Sequence, residues 1–266
     1  MVERASPGSA YSQSLERGLA ILSAFRSGRP LLGVSEIGRE IGLGRSTTHR
    51  YVATLATLGY LQQDVTTKKY RLGPRVLDLG FSAINSMELR EVAAPHLRRL
   101  SDETGYTVNM AILDGLDIVY VERCRSTQAG QSDIDLNLHV GARLPAYCTS
   151  LGKVLLAWLP PEDQTAALAR IEFTRRGPHT IVSHAALVAE LQRVRVDGFA
   201  INNEELAYGL RSIAAPILDH NGAAAAGINL AVHSSMVSME DLTARLSETV
   251  RRAAADISAH LGYRPT

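Results

Sequence analysis

The chain has 266 residues, of which 45% are hydrophobic and 21% charged; this excludes a disordered polyelectrolyte and provides apolar side chains enough for two domains. No apolar stretch approaches the roughly 20 residues that cross a bilayer, and residues 1–12 lack the apolar run of a secretion signal. The two cysteines, Cys124 and Cys148, are too few for a disulfide framework, so the expectation is a cytoplasmic protein with no membrane partner.

The formal net charge of +1 conceals an asymmetry: residues 1–90 hold 12 Lys and Arg against 7 Asp and Glu, while residues 91–266 hold 16 against 20. A basic segment of net +5 joined to an acidic one of net −4 predicts a nucleic-acid reader attached to a second function. In residues 14–25, Leu15, Leu19, Leu22 and Phe25 recur at helical spacing and predict an amphipathic helix with these four on its core side. Gly28 and Pro30 end it. Val34, Ile37 and Ile41 form the stripe of a second helix, with Glu36 in the first turn, where the helix dipole favours an anion, and Gly42 at the left-handed C-terminal cap. The turn at Leu43 and Gly44 leads into a third helix from Arg45, its core side being Thr48, Tyr51, Val52, Leu55 and Leu58. Two short helices about a glycine-containing turn read as a helix-turn-helix.

The outward groups of the third helix, Arg45, Ser46, Thr47, His49 and Arg50, suit a DNA groove: Arg reaches guanine bidentately, and Ser and Thr are small enough to let the helix lie deep. Residues 62–72 are polar at the centre and strand-like at the ends, a hairpin whose Lys68, Lys69 and Arg71 are expected near its tip and against phosphates. Either element alone is as readily a packing unit or a solvated hairpin. Their conjunction in this order, with the positive charge concentrated there, favours a winged helix on double-stranded DNA.

Residues 74–87 predict a linker helix, and residues 88–104 a further helix closed by Gly105. β-Branched runs at 107–113 and 118–123 flank an Asp114-Gly115 turn and predict a hairpin. Residues 135–140 alternate apolar and polar and predict a strand. Helices follow at 151–159, 161–171 and 185–197, then strands at 199–203, 211–217 and 224–232. A final helix at 239–261 carries Leu242, Leu246, Val250, Ile257 and Leu261 on its core side, with Ser238 and Asp241 as its cap. Strands and helices mixed in this way give an α+β fold.

Four stretches now occur in order. They are residues 14–22 (Ser-Leu-Glu-Arg-Gly-Leu-Ala-Ile-Leu), the helix-turn-helix, residues 141–157 (Gly-Ala-Arg-Leu-Pro-Ala-Tyr-Cys-Thr-Ser-Leu-Gly-Lys-Val-Leu-Leu-Ala) and residues 204–216 (Glu-Glu-Leu-Ala-Tyr-Gly-Leu-Arg-Ser-Ile-Ala-Ala-Pro). Together they resemble the IclR family of bacterial transcriptional regulators, from about Ser14 to Leu261. The Arg143 to Tyr147 and Gly209 to Pro216 stretches are most similar to the branch that regulates aromatic-acid catabolism through the β-ketoadipate route, such as protocatechuate and 4-hydroxybenzoate regulators. The resemblance implies a winged helix-turn-helix over residues 12–73, the linker helix over 74–87, and an effector-binding domain with a curved antiparallel sheet and flanking helices over 88–266. It also implies homodimers joined through the DNA-binding domains, often homotetramers, a small organic acid as effector, and no cofactor, metal or catalysis.

Carried over by motif, the effector pocket would be built from Tyr147, Cys148, Thr149, Ser150, Leu151 and Gly152, with Asn202, Ser212, Asn229 and Ala231 on strands. Free N–H groups at the start of the Leu151 helix, with the Thr149 and Ser150 hydroxyls, suit a carboxylate. Two positions depart from the pattern. Gly44 stands where many relatives cap the recognition helix with Ser, a change worth a few tenths of a kcal/mol. Asn202 stands where relatives that bind small oxo acids have an acidic residue, which argues against a glyoxylate-like effector.

The rival reading is an enzyme, or a small-molecule sensor whose N-terminal domain binds a protein partner; absence of salt-dependent DNA retention would favour it. Ser150 and Lys153 match Ser-x-x-Lys, but Ser-Asp-Asn and Lys-Thr-Gly are missing. Cys124, His139 and Cys148 match no zinc spacing. Gly42-Leu43-Gly44 follows a helix, where a dinucleotide loop follows a strand. Glu204 and Glu205, read as strand neighbours, would face opposite ways and make no acid–base pair; the readings for them are a turn cap, a contact to a hydroxylated effector and, expected for at least one, a solvated loop.

Overall fold

The computed structural model describes residues 11–26, 28–85, 87–125 and 138–264. The chain divides into two compact units, Met1–Ser86 and Met87–Thr266.

In the first unit, α1 (Gln13–Ser23), α2 (Val34–Ile41) and α3 (Arg45–Thr57) enclose a core of Ile21, Ala24, Phe25, Leu32, Ile37, Val52, Leu61 and Tyr70. The expected stripe of α1 holds at Leu22 and Phe25, which pack in the core, and is corrected at Leu15 and Leu19, which are 64% and 55% exposed; Leu58, the C-cap of α3, lies outside as well. A second apolar ridge through Ile21 and Ala24 faces the core with them. Gly42 adopts φ 70 as the left-handed cap of α2. The α2–α3 approach requires Gly38, where a Cβ would meet the Leu43 carbonyl oxygen at 2.8 Å and the Thr48 Oγ1 at 2.9 Å. β1 (Leu61–Gln63) and β2 (Tyr70–Leu72) pair antiparallel, and Leu32 and Tyr70 exchange N–H···O bonds of 2.9 and 2.8 Å that add a third edge to the wing. α4 (Arg75–Asn85) completes the unit.

The second unit is built on a six-stranded antiparallel sheet in the order β5-β4-β3-β8-β7-β6. Its strands are β3 (Thr107–Asp114), β4 (Asp117–Cys124), β5 (Arg143–Pro145), β6 (Ala200–Asn203), β7 (Leu210–Leu218) and β8 (Ala224–His233). Register shifts at Met110/Ala111 and Ile217/Leu218 bend it. One face packs Val108, Met110, Ile213 and Ile228 against α5 (Glu88–Thr104) and α10 (Ser247–His260). The other packs Ala111, Ile118, Tyr120 and Ala214 against α6 (Ser150–Ala157), with α7 (Pro161–Ala169) and α8 (His184–Asp197) beyond. The final helical segment starts as α9 (Met239–Asp241), capped by the Ser238 hydroxyl on the Asp241 N–H at 3.0 Å, and widens into a π turn over Leu242–Leu246 before α10.

Two expectations change, and β5 falls on residues to which the sequence assigned no element. Of the strand expected at 135–140, residues 135–137 lie outside the described residues and Leu138, His139 and Val140 are not in a strand. β6 ends at Asn203, so Glu204, at φ 56, and Glu205 lie in a turn instead of on a strand. Among the described residues no helix is long and apolar enough to cross a membrane.

Candidate nucleic-acid interface and effector site

Gly44 begins α3 in extended conformation without a side-chain cap, as its missing side chain dictates. From there Arg45, Ser46, His49 and Arg50 are exposed, Thr47 is half-buried, and Thr48 is turned into the core with its hydroxyl donating to the Gly44 carbonyl at 3.0 Å. At the wing, Asp64 Oδ1 accepts the Thr67 N–H and hydroxyl, both at 2.7 Å, which tightens the turn and holds its carboxyl below the usual range. Lys68 sits at the tip with φ 57, exposed. The other two wing cations are placed differently from expectation. Lys69 Nζ lies 3.1 Å from Glu36 Oε2, and Arg71 lies on β2 with its Nε donating to Gln62 Oε1 at 3.1 Å. Glu36 is thus a joint between α2 and the wing, since the same Oε2 accepts the Gly33 N–H at 2.7 Å. That N–H, and then Lys69, hold its carboxyl below the usual range.

In the second unit, Gly152 lets the start of α6 seat on the turn at residues 146–148: a Cβ there would meet the Ala146 carbonyl oxygen at 2.1 Å. Thr149 caps α6, its Oγ1 accepting the Gly152 N–H at 3.0 Å. Ser150 is turned to the sheet, its Oγ 2.7 Å from Ser212 Oγ. Two registered rows cross this inner face. One runs Thr107, Ala231, Ser212, Asn202; the other runs Arg123, Asn109, Asn229, Ala214. Of the ten effector candidates, Ser150, Asn202, Ser212, Asn229 and Ala231 therefore share one wall. Leu151 is in the core that covers it. Tyr147 is committed elsewhere: its hydroxyl donates to the Thr174 carbonyl at 2.7 Å and accepts the Thr174 N–H at 3.0 Å, and its ring lines a separate cleft of about 210 Å³. Cys148 is buried, its thiol pushed up to about 12 by burial, which leaves it unreactive.

The turn after β6 corrects the expectation of a solvated loop for at least one of Glu204 and Glu205, and meets the other expectation, that one of them caps a turn. Glu204 Oε1 accepts the Gly209 N–H at 2.7 Å and caps that turn. Glu205 is buried, with Oε1 2.6 Å from Lys153 Nζ, which also contacts Glu190 Oε1 at 2.9 Å. Lys153 is therefore ion-paired twice and Ser150 is bonded to Ser212, so the Ser-x-x-Lys spacing makes no nucleophile and base. Sequence reasoning missed Asn109, Arg123, Glu190 and the pairing of Lys153 with Glu205. The one available signal was an Asn on an otherwise apolar strand at Asn109.

Two family models match the chain: the IclR helix-turn-helix domain over residues 14–65 and the bacterial transcriptional regulator IclR C-terminal domain over residues 81–259. The chain belongs to the IclR family. Among IclR-family relatives, it is 34% identical to the HTH-type transcriptional regulator XynR of Escherichia coli K12, over 94% of this chain and 98% of XynR. It is 36% identical to the Pca regulon regulatory protein of Pseudomonas putida, over 94% of this chain and 84% of that protein. The p-hydroxybenzoate hydroxylase transcriptional activator of Acinetobacter baylyi is 32% identical, over 93% and 91%. Among solved structures, a Rhodococcus sp. RHA1 protein described as a transcriptional regulator superposes with TM-score 0.81 at 39% identity, over 94% of this chain and 98% of that one. An IclR homologue from Microbacterium hydrocarbonoxydans in complex with 4-hydroxybenzoate superposes with TM-score 0.78 at 28% identity, over 94% and 99%. The IclR-family chain is thus a transcriptional regulator and not an enzyme, with a helix-turn-helix before a regulatory C-terminal domain.

Proposed function

We propose that this IclR-family regulator reads its operator with α3 and the wing and senses a small aromatic acid on the sheet wall beneath α6. The observation that carries the effector reading is the Ser150–Ser212 contact of 2.7 Å, which joins the start of α6 to a buried polar wall holding Asn202 and Asn229. The Pca regulon and p-hydroxybenzoate relatives, and the homologue in complex with 4-hydroxybenzoate, support an aromatic acid as the class of effector. On the DNA side, Arg45, Ser46, Thr47, His49 and Arg50 are assigned to the groove and Lys68 to the phosphates, with Lys69 and Arg71 flanking. Leu15 and Leu19, one turn apart on α1, are both exposed and make an apolar strip of the kind that joins two copies, which supports a homodimer on an inverted repeat. The domain limits proposed are 12–73, 74–87 and 88–266.

A thermal-shift panel of protocatechuate, 4-hydroxybenzoate, β-ketoadipate, glyoxylate and pyruvate tests the effector class. A ligand at 100 times its dissociation constant adds about 2.7 kcal/mol of stability, so the expected result is a selective shift with an aromatic-pathway acid. A shift confined to glyoxylate or pyruvate would reject the assignment.

A further inference from the structure

We propose that Arg123 and Asn109 are positioning residues of the effector site, orienting the Asn229 amide so that the sheet wall presents hydrogen-bond donors and selects a carboxylate over its neutral carboxamide. The inference rests on the effector reading above and adds to it the polarity of the wall and the residues that set it.

The orientation follows from what each group can do. A guanidinium has five donors and no acceptor. Arg123 Nη1 lies 3.2 Å from Asn109 Oδ1, so the amide oxygen of Asn109 is held toward β4. Its nitrogen is then directed to β8, where Nδ2 donates to Asn229 Oδ1 at 2.9 Å. The Asn229 oxygen is thereby committed toward β3, and what it has left to offer is its Nδ2 donor pair. Its register partner on the other side is Ala214, whose methyl accepts nothing. A different neighbour sets the second asparagine in the same sense: Asn202 Oδ1 accepts the Glu205 backbone N–H at 2.8 Å, which leaves its Nδ2 as the donor.

Both amides lie on the face turned to α6, because they alternate in step with Ser212, which touches Ser150. Between and beside them stand Ala111, Ala200, Ala214 and Ala231, whose short side chains keep the floor low. The wall therefore has two donors of fixed polarity, Asn202 and Asn229, beside the Ser150–Ser212 pair, whose mutual bond uses one hydroxyl hydrogen and leaves the other to donate. A carboxylate accepts from both amides and from that hydroxyl, and its bonds are charge-assisted. A carboxamide turns an N–H toward at least one fixed donor. The charge of Arg123 acts through Asn109 and polarises the chain of bonds toward Asn229 without touching the ligand.

The test is isothermal titration of the full-length protein with two acid and amide pairs, 4-hydroxybenzoate with 4-hydroxybenzamide and adipate with adipamide. The variants are Asn229→Asp and Asn109→Asp, both close in shape to the originals. Asn109→Asp keeps an acceptor for Arg123 but offers an acceptor to β8, so Asn229 must turn its nitrogen toward β3 and its oxygen to the ligand. In the wild-type protein the acid binds at least about tenfold tighter than its amide. Each variant weakens the acid by about tenfold or more and collapses that preference. A merely structural role for Asn109 would weaken acid and amide together, and an unchanged acid-to-amide ratio in Asn109→Asp overturns the relay. Wild-type preference for adipate over adipamide, with both aromatic compounds ignored, supports the donor wall and rejects the aromatic effector. Equal binding of 4-hydroxybenzoate and its amide rejects the donor wall and supports the aromatic effector. Binding of neither acid overturns both.

Discussion

Lys153 is the largest side chain that is fully buried among the described residues, and it holds together two carboxylates from different parts of the chain. Glu190 and Glu205 do not share it equally. Burial raises Glu190, but Lys153 and Arg193 outweigh burial and hold it below the usual carboxylate range. Burial also raises Glu205, Lys153 offsets this only in part, and the charge of Glu190 raises it further. Removing Lys153 leaves Glu205 buried and uncompensated, a change that costs about 3–5 kcal/mol. Lys153→Met is accordingly expected to lower the denaturation midpoint steeply. Adding Glu205→Gln should restore most of the loss, since Glu190 keeps Arg193; a double variant as unstable as Lys153→Met would show that Lys153 acts by packing alone. None of this was legible in the sequence, where Lys153 and Glu205 stand 52 positions apart and Lys153 reads as a motif neighbour of Ser150.

At the scale of elements, the wing is tied to α2 through Glu36, whose one oxygen takes both the Gly33 N–H and Lys69. Its carboxyl is held below the usual range, so the contribution it makes to folding is present above the ordinary glutamate pKa and is lost as pH falls through the lower folded value. Glu36→Gln removes that dependence. Below the ordinary glutamate pKa, operator binding by the wild-type protein should therefore fall off more steeply than that of Glu36→Gln, as measured by fluorescence anisotropy across pH at fixed salt; parallel curves would reject the joint. The helix-turn-helix and its caps were legible because their determinants are local: Gly42, Gly44 and the apolar spacing of α2 lie within a few residues of one another. The outward turn of Leu15 and Leu19 was not, because an apolar stripe keeps the same periodicity whether or not each of its turns meets the core. The proposed effector wall was legible only in part. Its motif residues come from the sequence, but Asn109 and Asn229 stand 120 positions apart and meet only through the register of β3 on β8.

At the scale of the whole molecule, the split of charge decides what DNA affinity can depend on. A regulator attracted to DNA by its overall charge of +1 would bind weakly and lose little with salt. Binding through cations concentrated in residues 1–90 has the opposite signature: each phosphate neutralised contributes about −0.9 to the slope of log affinity against log salt. Two substitutions separate the kinds of contact. Lys68→Ala, at the wing tip, should weaken operator and random DNA alike and make the slope shallower by about 1. Arg50→Ala, on the exposed side of α3, should weaken the operator by about 1–3 kcal/mol while affecting random DNA less, because a base contact discriminates as well as binds. Measured together across salt, the two variants assign α3 to specificity and the wing to affinity. If Arg50→Ala left operator binding unchanged at moderate salt, α3 would not be the recognition helix, whatever its exposure. If Lys68→Ala altered discrimination without altering the slope, the wing would be reading bases and the division of labour between the two elements would be reversed.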